Sequence, residues 1–443
     1  MSQRVSIIED AAQLDAPSVA AEQSARLQPV TAQERIQLID VLRGFALFGV
    51  LLANMAWLSG EDLVLTDARA ASLPTAAFDH YAKYLINFFV DGKANTIFAF
   101  LFGLGFAVQL IRAEERGLSI LPVYARRLFV LLLFGLAHML LLWYGDILHL
   151  YALVGFTLLL WRKRKDGTVL KWGLALAVLP WALLSFVPPL LVRAGAGDVE
   201  TAAERAAYLQ TMEVRLAAFT HGGYWDVVRE HFRYNAGEYL FNPAILVFAT
   251  LYVMGRFLVG LYAGRRRVLH EAHLHLPLFR RLLAWGLALG VVGNLVYAAT
   301  EYLQSADRLD ESSFWWAAAQ TPIAVGVPAM SCFYVSSIVL LFQREPWRRR
   351  LLWLAPVGRM ALTNYLTQTL CHLFIFYGFA GLGLMGRVGT SACVPISLAI
   401  FTLQILYSRW WLARFRFGPC EWLWRTLTYL RPQPVRAERT QTA

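Results

Sequence analysis

Charge is scarce in this chain. Only 16% of its 443 residues are Asp, Glu, Lys or Arg, against about 25% in a soluble domain, which excludes an ordinary water-facing globule. Cysteine is scarce too. Cys332, Cys371, Cys393 and Cys420 are the only four, and their spacing offers neither a zinc site nor a disulfide framework. There is no Gly-rich phosphate loop, no nucleophile elbow and no repeat at a fixed period. Residues 1–34 lack any apolar run, so they are neither a cleavable signal nor a span and read as a disordered cytoplasmic tail.

What is present is apolar length. Hydrophobic residues make up 58% of the chain, where about 45–50% is usual. Ten segments have the roughly 17–25 residues needed to cross a bilayer, near 38–58, 85–111, 124–143, 146–161, 171–193, 244–264, 281–300, 316–342, 355–378 and 390–410. The fourth is short, and Pro180, Pro188 and Pro189 interrupt the fifth. The expectation is an all-α polytopic membrane protein of about ten transmembrane helices around an internal polar cavity. Its helical domain covers 35–430, with an outer loop at 194–243 and a second disordered tail at 431–443.

The net charge of +11 does not call for nucleic acid, because the cations sit in short blocks between spans. With the N-terminus inside, the inner connections hold Arg112, Arg116, Arg126 and Arg127, then "RKRK" 162–165, "RRR" 265–267 and "RRR" 348–350. The outer connections are acidic or nearly neutral. Both termini are therefore expected in the cytoplasm, and the lipid bilayer is the first partner.

Topology assigns depth to the polar residues inside the spans. Asp40 and Arg43 share a face at the cytoplasmic end of the first span, and Asn54, eleven residues after Arg43, returns to that face. His138 lies roughly 20 Å into the third span at 1.5 Å per residue, with Gly135 one turn below leaving room beside its ring. Asp146 and His149 follow in a tight outer turn. A polar group in hydrocarbon is a functional-site candidate by default; a packing histidine and a helix-capping aspartate are the plainer alternatives. Asp91 and Lys93 flank Gly92 inside the second apolar segment, so Gly92 is expected to break it, with a helix starting near Asn95 and Lys93 facing an aqueous pocket. In the ninth segment Arg359 lies near the cytoplasmic end, and Asn364, Gln368 and His372 recur every four residues. Three polar stripes suggest one cavity, with helix-to-helix hydrogen bonding as the alternative for the amides and threonines.

The blocks "LIDVLRGFALFGVLLANM", "KANTIFAFLFGLGF", "GLAHMLLLWYGDILHLYALVG", "GRMALTNYLTQT" and "FRFGPCEWLWRTLTYL" resemble the YeiB-type family of bacterial inner-membrane proteins, the domain of unknown function 418. The resemblance covers residues 35–430. That family is grouped with the transmembrane acyltransferase superfamily, which includes the acyltransferase-3 proteins and lysosomal heparan-glucosaminide N-acetyltransferase. The grouping implies acyl transfer from a cytoplasmic acyl-CoA-like donor to a small-molecule or envelope-glycan acceptor outside, with acyl-CoA as co-substrate and no resident cofactor or metal. Acyltransferase-3 proteins carry an Arg near the start of the first span, matched by Arg43, and a catalytic His near its end, where this chain has Asn54. The base must then come from elsewhere, and His138 is the candidate, with Asp146 beside it. Acyl transfer needs a base of near-neutral pKa, an oxyanion donor such as Asn54, Lys93 or Asn364, and cations such as Arg43 and Arg359 for the donor's phosphates. Asp40, His149 and Gln368 complete the expected binding set. A proton-coupled transporter or exporter, or a scaffold using the 194–243 loop, would also carry polar stripes.

Overall fold

Once lipid replaces water, a backbone must close its hydrogen bonds internally, and a helix does so within one segment. The computed structural model describes residues 36–60, 65–194, 202–237, 243–306, 308–310 and 313–436; the expected tail at 1–34 lies outside them. Among the described residues there is no β-strand. The helices run α1 (Gln37–Leu58), α2 (Asp67–Ala71), α3 (Ala76–Phe89), α4 (Lys93–Glu115), α5 (Leu121–Leu141), α6 (Leu148–Trp161), α7 (Asp166–Leu184), α8 (Val187–Arg193), α9 (Ala202–His221), α10 (Tyr224–Ala236), α11 (Pro243–Arg265), α12 (Leu276–Ser305), α13 (Phe314–Phe342), α14 (Glu345–Leu351), α15 (Ala355–Arg359), α16 (Ala361–Phe376), α17 (Thr390–Leu412) and α18 (Pro419–Tyr429).

Eight of these units are long and apolar enough to cross a membrane: α1, the bent pair α3–α4, α5, α7, α11, α12, α13 and α17. The protein is an all-α polytopic membrane protein. The two other expected spans are shorter. α6 has 14 residues and α16 has 16, about 21 and 24 Å of rise. Irregular chain at 142–147 leads into α6, and irregular chain at 377–389 follows α16. Non-helical backbone at such depth is stable only where protein covers it, and the cover is the region expected to be an outer loop. Instead of loop, α9 and α10 form a helical hairpin over these ends: the Tyr224 hydroxyl donates to the Leu141 carbonyl (3.1 Å), and the Gly378 amide donates to the Phe219 carbonyl (2.9 Å).

Gly92 breaks the second segment as expected. Its φ of +72° is left-handed, a conformation open to glycine because it has no Cβ, and the following helix starts at Lys93 rather than Asn95. Pro180 does not end the fifth segment: it sits inside α7, and the break falls at Ser185–Phe186, before Pro188 and Pro189 in α8. The chain after Arg431 is also not the free tail expected, as far as it is described. The Arg416 amide donates to Val435, the Trp422 indole donates to Gln433, and Phe415 and Arg436 form an isolated bridge.

α1 is the axis of the bundle, packed by α4, α15, α16 and α17, with Val41, Leu42 and Ala46 fully buried. Around it the polar residues sort to two ends. Asp40, Arg43, Arg112, Arg127 and Arg359 gather at one, called here the basic end. His138, Asp146, Asn54 and α16's second half lie toward the other, under α9–α10.

Candidate functional site

A carboxylate and two imidazoles at membrane depth need partners, and they find one another. The start of α6 points the Asp146 carboxylate back at α5. His138 Nδ1 lies 2.8 Å from Asp146 Oδ1, and His149 Nδ1 lies 2.9 Å from Oδ2, which also accepts the His149 amide (2.8 Å). Asp146 thus both steadies the first turn of α6, as the capping alternative expected, and orients an imidazole. A carboxylate only accepts, so His138 Nδ1 carries a proton toward it, and in the neutral imidazole Nε2 presents a lone pair. That lone pair faces the Thr369 hydroxyl at 2.8 Å. Asp146, His138 and Thr369 therefore form a carboxylate–imidazole–hydroxyl line across α6, α5 and α16, all of it buried.

Gly135 serves this line differently from expectation. Rather than opening space beside the His138 ring, it admits the backbone of α6: a Cβ there would stand 2.3 Å from the His149 nitrogen. Above the line an aromatic layer closes the end. Trp143 packs on His138 with ring centroids 6.0 Å apart, and Tyr144, Phe219 and Tyr377 continue the layer to α9 and the chain after α16. Beside it is a small void of about 10 Å³ lined by Asn54, Tyr365, Gln368, Thr369 and His372. Asn54 and Thr369 thus line one void.

From the basic end a cavity of about 310 Å³ runs into the bundle, within the range of about 300–1,000 Å³ usual for small-ligand sites. Its mouth carries Arg43, Arg112, Arg127, Arg359 and Arg425 against the carboxylates of Asp40 and Glu421. Both carboxylates are engaged: Asp40 with Arg43 (3.1 Å), and Glu421 with the Leu362 and Thr363 amides and the Thr363 hydroxyl at the start of α16. Deeper, the walls are Leu47, Val50, Phe98, Phe102, Leu131 and Leu148. The far end reaches Ile147 and Tyr365. Tyr365 also lines the small void, and its ring centroid is 5.2 Å from that of His138. At the surface a depression of about 860 Å³ shares Ile36, Asp40, His270 and Arg359 with the mouth.

Two expected site residues lie elsewhere. Lys93 does not face an aqueous pocket; it is buried, and its ammonium donates to the Asn87 carbonyl near the end of α3, because the helix break at Gly92 leaves that carbonyl without a helical partner. Asn364 belongs to a ladder between α16 and α17, with its amide donating to the Ser408 hydroxyl (2.9 Å), while Gln404 donates to the Asn364 carbonyl (2.9 Å). Gln368 borders the void, but its amide donates to Gln404 (2.9 Å). Thr369, Tyr365, Glu421 and Arg425 went unmarked in the sequence, and Arg127 was marked only as a loop cation. A threonine inside a helix carries no local signal of a partner on another helix. Arg256 was missed as well, although an arginine deep in an apolar run is such a signal: it is buried in α11, with Nε donating to Thr96 (2.8 Å) and its guanidinium stacked on Tyr252.

The chain is 36% identical to "Uncharacterized protein YxaH" of Bacillus subtilis (strain 168) over 94% of its own length and 99% of that protein's. Residues 263–431 match the family model described as "Protein of unknown function (DUF418)". The chain belongs to the DUF418 family. "Uncharacterized protein YeiB" of Escherichia coli (strain K12) is a further relative, 30% identical over 91% of this chain and 98% of its own. The "Uncharacterized 39.9 kDa protein in amylase 3'region" of Bacillus acidopullulyticus is 29% identical over 92% of the chain and 98% of its own. No solved structure matches.

Proposed function

We propose that the protein is a membrane acyltransferase of the bacterial inner membrane, with both termini cytoplasmic, that takes an acyl group from an acyl-CoA-like donor to a small-molecule or envelope-glycan acceptor reached from the periplasmic side. One observation carries the reading: the Asp146–His138–hydroxyl line stands behind Tyr365 at the inner end of a cavity whose other end is lined by arginine. Guanidinium groups match phosphate oxygens in charge and geometry, so Arg43, Arg112 and Arg359 hold the donor's head. The apolar walls below take the acyl arm. His138, held in one tautomer by Asp146, removes the proton of the attacking group, and the Asn54 amide beside Thr369 donates to the developing oxyanion.

The test is donor binding and turnover by the detergent-extracted chain. Mass spectrometry of freshly purified protein is expected to detect CoA or acyl-CoA, and added acyl-CoA to bind saturably. Folded protein that binds no acyl-CoA, yet moves protons with a solute in liposomes, would put a transporter in its place. Reporter fusions after residues 165 and 267 check the orientation and are expected to be active only as cytoplasmic reporters.

A further inference from the structure

Thr369 departs from the usual habit of a hydroxyl in mid-helix. A serine or threonine inside a helix normally returns its proton to a carbonyl one turn back, and here Thr367 does so to Asn364, Ser397 to Cys393, Thr402 to Leu398 and Ser337 to Phe333. The Thr369 hydroxyl instead meets His138 Nε2 at 2.8 Å, a residue 231 positions away on another helix. With the Nδ1 proton directed at Asp146, the neutral imidazole accepts at Nε2 and Thr369 donates. That is the relation of an activated nucleophile to its base, with the base oriented by a third group.

The surroundings suit a covalent step. Thr369 borders the void that also contains the Asn54 side chain, and Tyr365 is the shared wall between this void and the 310 Å³ cavity. Trp143 and the layer from Tyr144 to Tyr377 cover the other side, which keeps water from an ester formed there. We propose that Thr369 is the acyl-accepting nucleophile of the reaction, so that transfer passes through an acyl-threonine ester; this rests on the acyltransferase reading. Thr369 Oγ1 attacks the thioester carbonyl carbon as His138 Nε2 takes its proton. The C–S bond then breaks and the sulfur leaves with that proton as the CoA thiol. In the second half the acceptor's hydroxyl or amine attacks the ester carbonyl, His138 takes its proton and returns it to Thr369 Oγ1, and the acylated acceptor departs. Turning of the Tyr365 side chain opens the path from the cavity to Thr369.

The experiment uses the full chain in nanodiscs with acetyl-CoA, octanoyl-CoA or palmitoyl-CoA and no acceptor, reading released thiol and peptide mass. The expected result is a stoichiometric burst of thiol and an hydroxylamine-labile acyl group on the peptide containing Thr369. Thr369→Ser, which keeps the hydroxyl, retains both. Thr369→Val loses both, and its turnover with acceptor falls by about 10²–10⁴-fold. The wild-type adduct decides the matter even if Thr369→Val misfolds. Thiol release only when acceptor is present with no label on the chain, an acyl group on His138, or transfer by Thr369→Val at the wild-type rate would each overturn the inference while leaving the acyltransferase reading in place. Absence of both binding and thiol release with all three donors would remove the reading and the inference together.

Discussion

Two buried polar networks lie side by side on α16, and they differ in kind. On one face Asn364 and Gln368 join Gln404 and Ser408 of α17 in a ladder of amides and hydroxyls. On the other Thr369 meets His138, which is tied to Asp146 and His149. Both answer the demand that polar groups in a lipid environment be paired, the ladder only in part, since Asn364 Oδ1 and Gln368 Oε1 accept no hydrogen bond. Only the second contains groups that exchange protons, and only it stands behind a wall of the large cavity. Pairing alone therefore identifies glue; ionisable chemistry next to a ligand-sized space identifies a candidate site.

The sharpest way to break this contrast is His138→Ala. It is expected to lower turnover by about 10²–10⁴-fold with acyl-CoA affinity nearly intact, read by steady-state transfer and by equilibrium binding on the same preparation. Loss of thermal stability with little specific loss of turnover would return His138 to packing.

The cover above the ionisable network supplies a pH test. Burial pushes the His231 imidazole of α10 down to about 4 from the ordinary 6.5, with the nearby Leu140 carbonyl opposing the shift; Tyr144 and Tyr377 face the same ring. A base with a depressed pKa binds protons more readily unfolded, so its stability contribution is present above pH 6.5 and is lost as pH falls toward about 4. The full contribution is roughly 3 kcal/mol at 1.36 kcal/mol per unit. Unfolding of the wild type at about pH 7 and about pH 4.5 should show that loss, and His231→Phe should flatten it. An equally steep dependence in the variant would place the pH response elsewhere.

Arg43→Gln tests the cavity mouth. Removing one guanidinium from a phosphate is expected to weaken acyl-CoA binding about tenfold or more, read on protein whose thermal unfolding shows it folded, because the variant also takes one partner from the buried Asp40 carboxylate. Unchanged affinity in folded protein would make Arg43 an anchor paired with Asp40. The smallest effect is expected in the ladder. Gln404→Leu should cost about 1 kcal/mol of stability and leave turnover unchanged; a fall in turnover without loss of stability would erase the distinction between the two networks.

Part of this was legible in the chain itself. His138 and Asp146 stood out because hydrocarbon makes an imidazole or carboxylate conspicuous at any depth, whereas Thr369 did not, since a threonine in a span satisfies itself on its own helix as often as not. Asn364 and Gln368, by contrast, were marked as binding residues. Their different partners follow from how far α16 is rotated against α5 and α17, and four-residue spacing holds no information on that rotation. Gly135 shows the same limit: the sequence announces a missing side chain, but whether a cavity or the backbone of α6 fills the space depends on where α6 lands.

The amino-acid sequence by itself determined the class, eight of the ten expected spans and the basic character of one end. It also determined the break at Gly92, because each of these answers to a local requirement, namely apolar length, a cation outside hydrocarbon, or a φ open only to glycine. Tertiary structure alone decided that residues 202–236 fold into a helical cover, that α6 and α16 stop short beneath it, and that Asp146, His138 and Thr369 fall into line. These depend on contacts between helices distant in the chain, where packing and the pairing of buried polar groups choose among arrangements that the hydrophobic pattern leaves equally open.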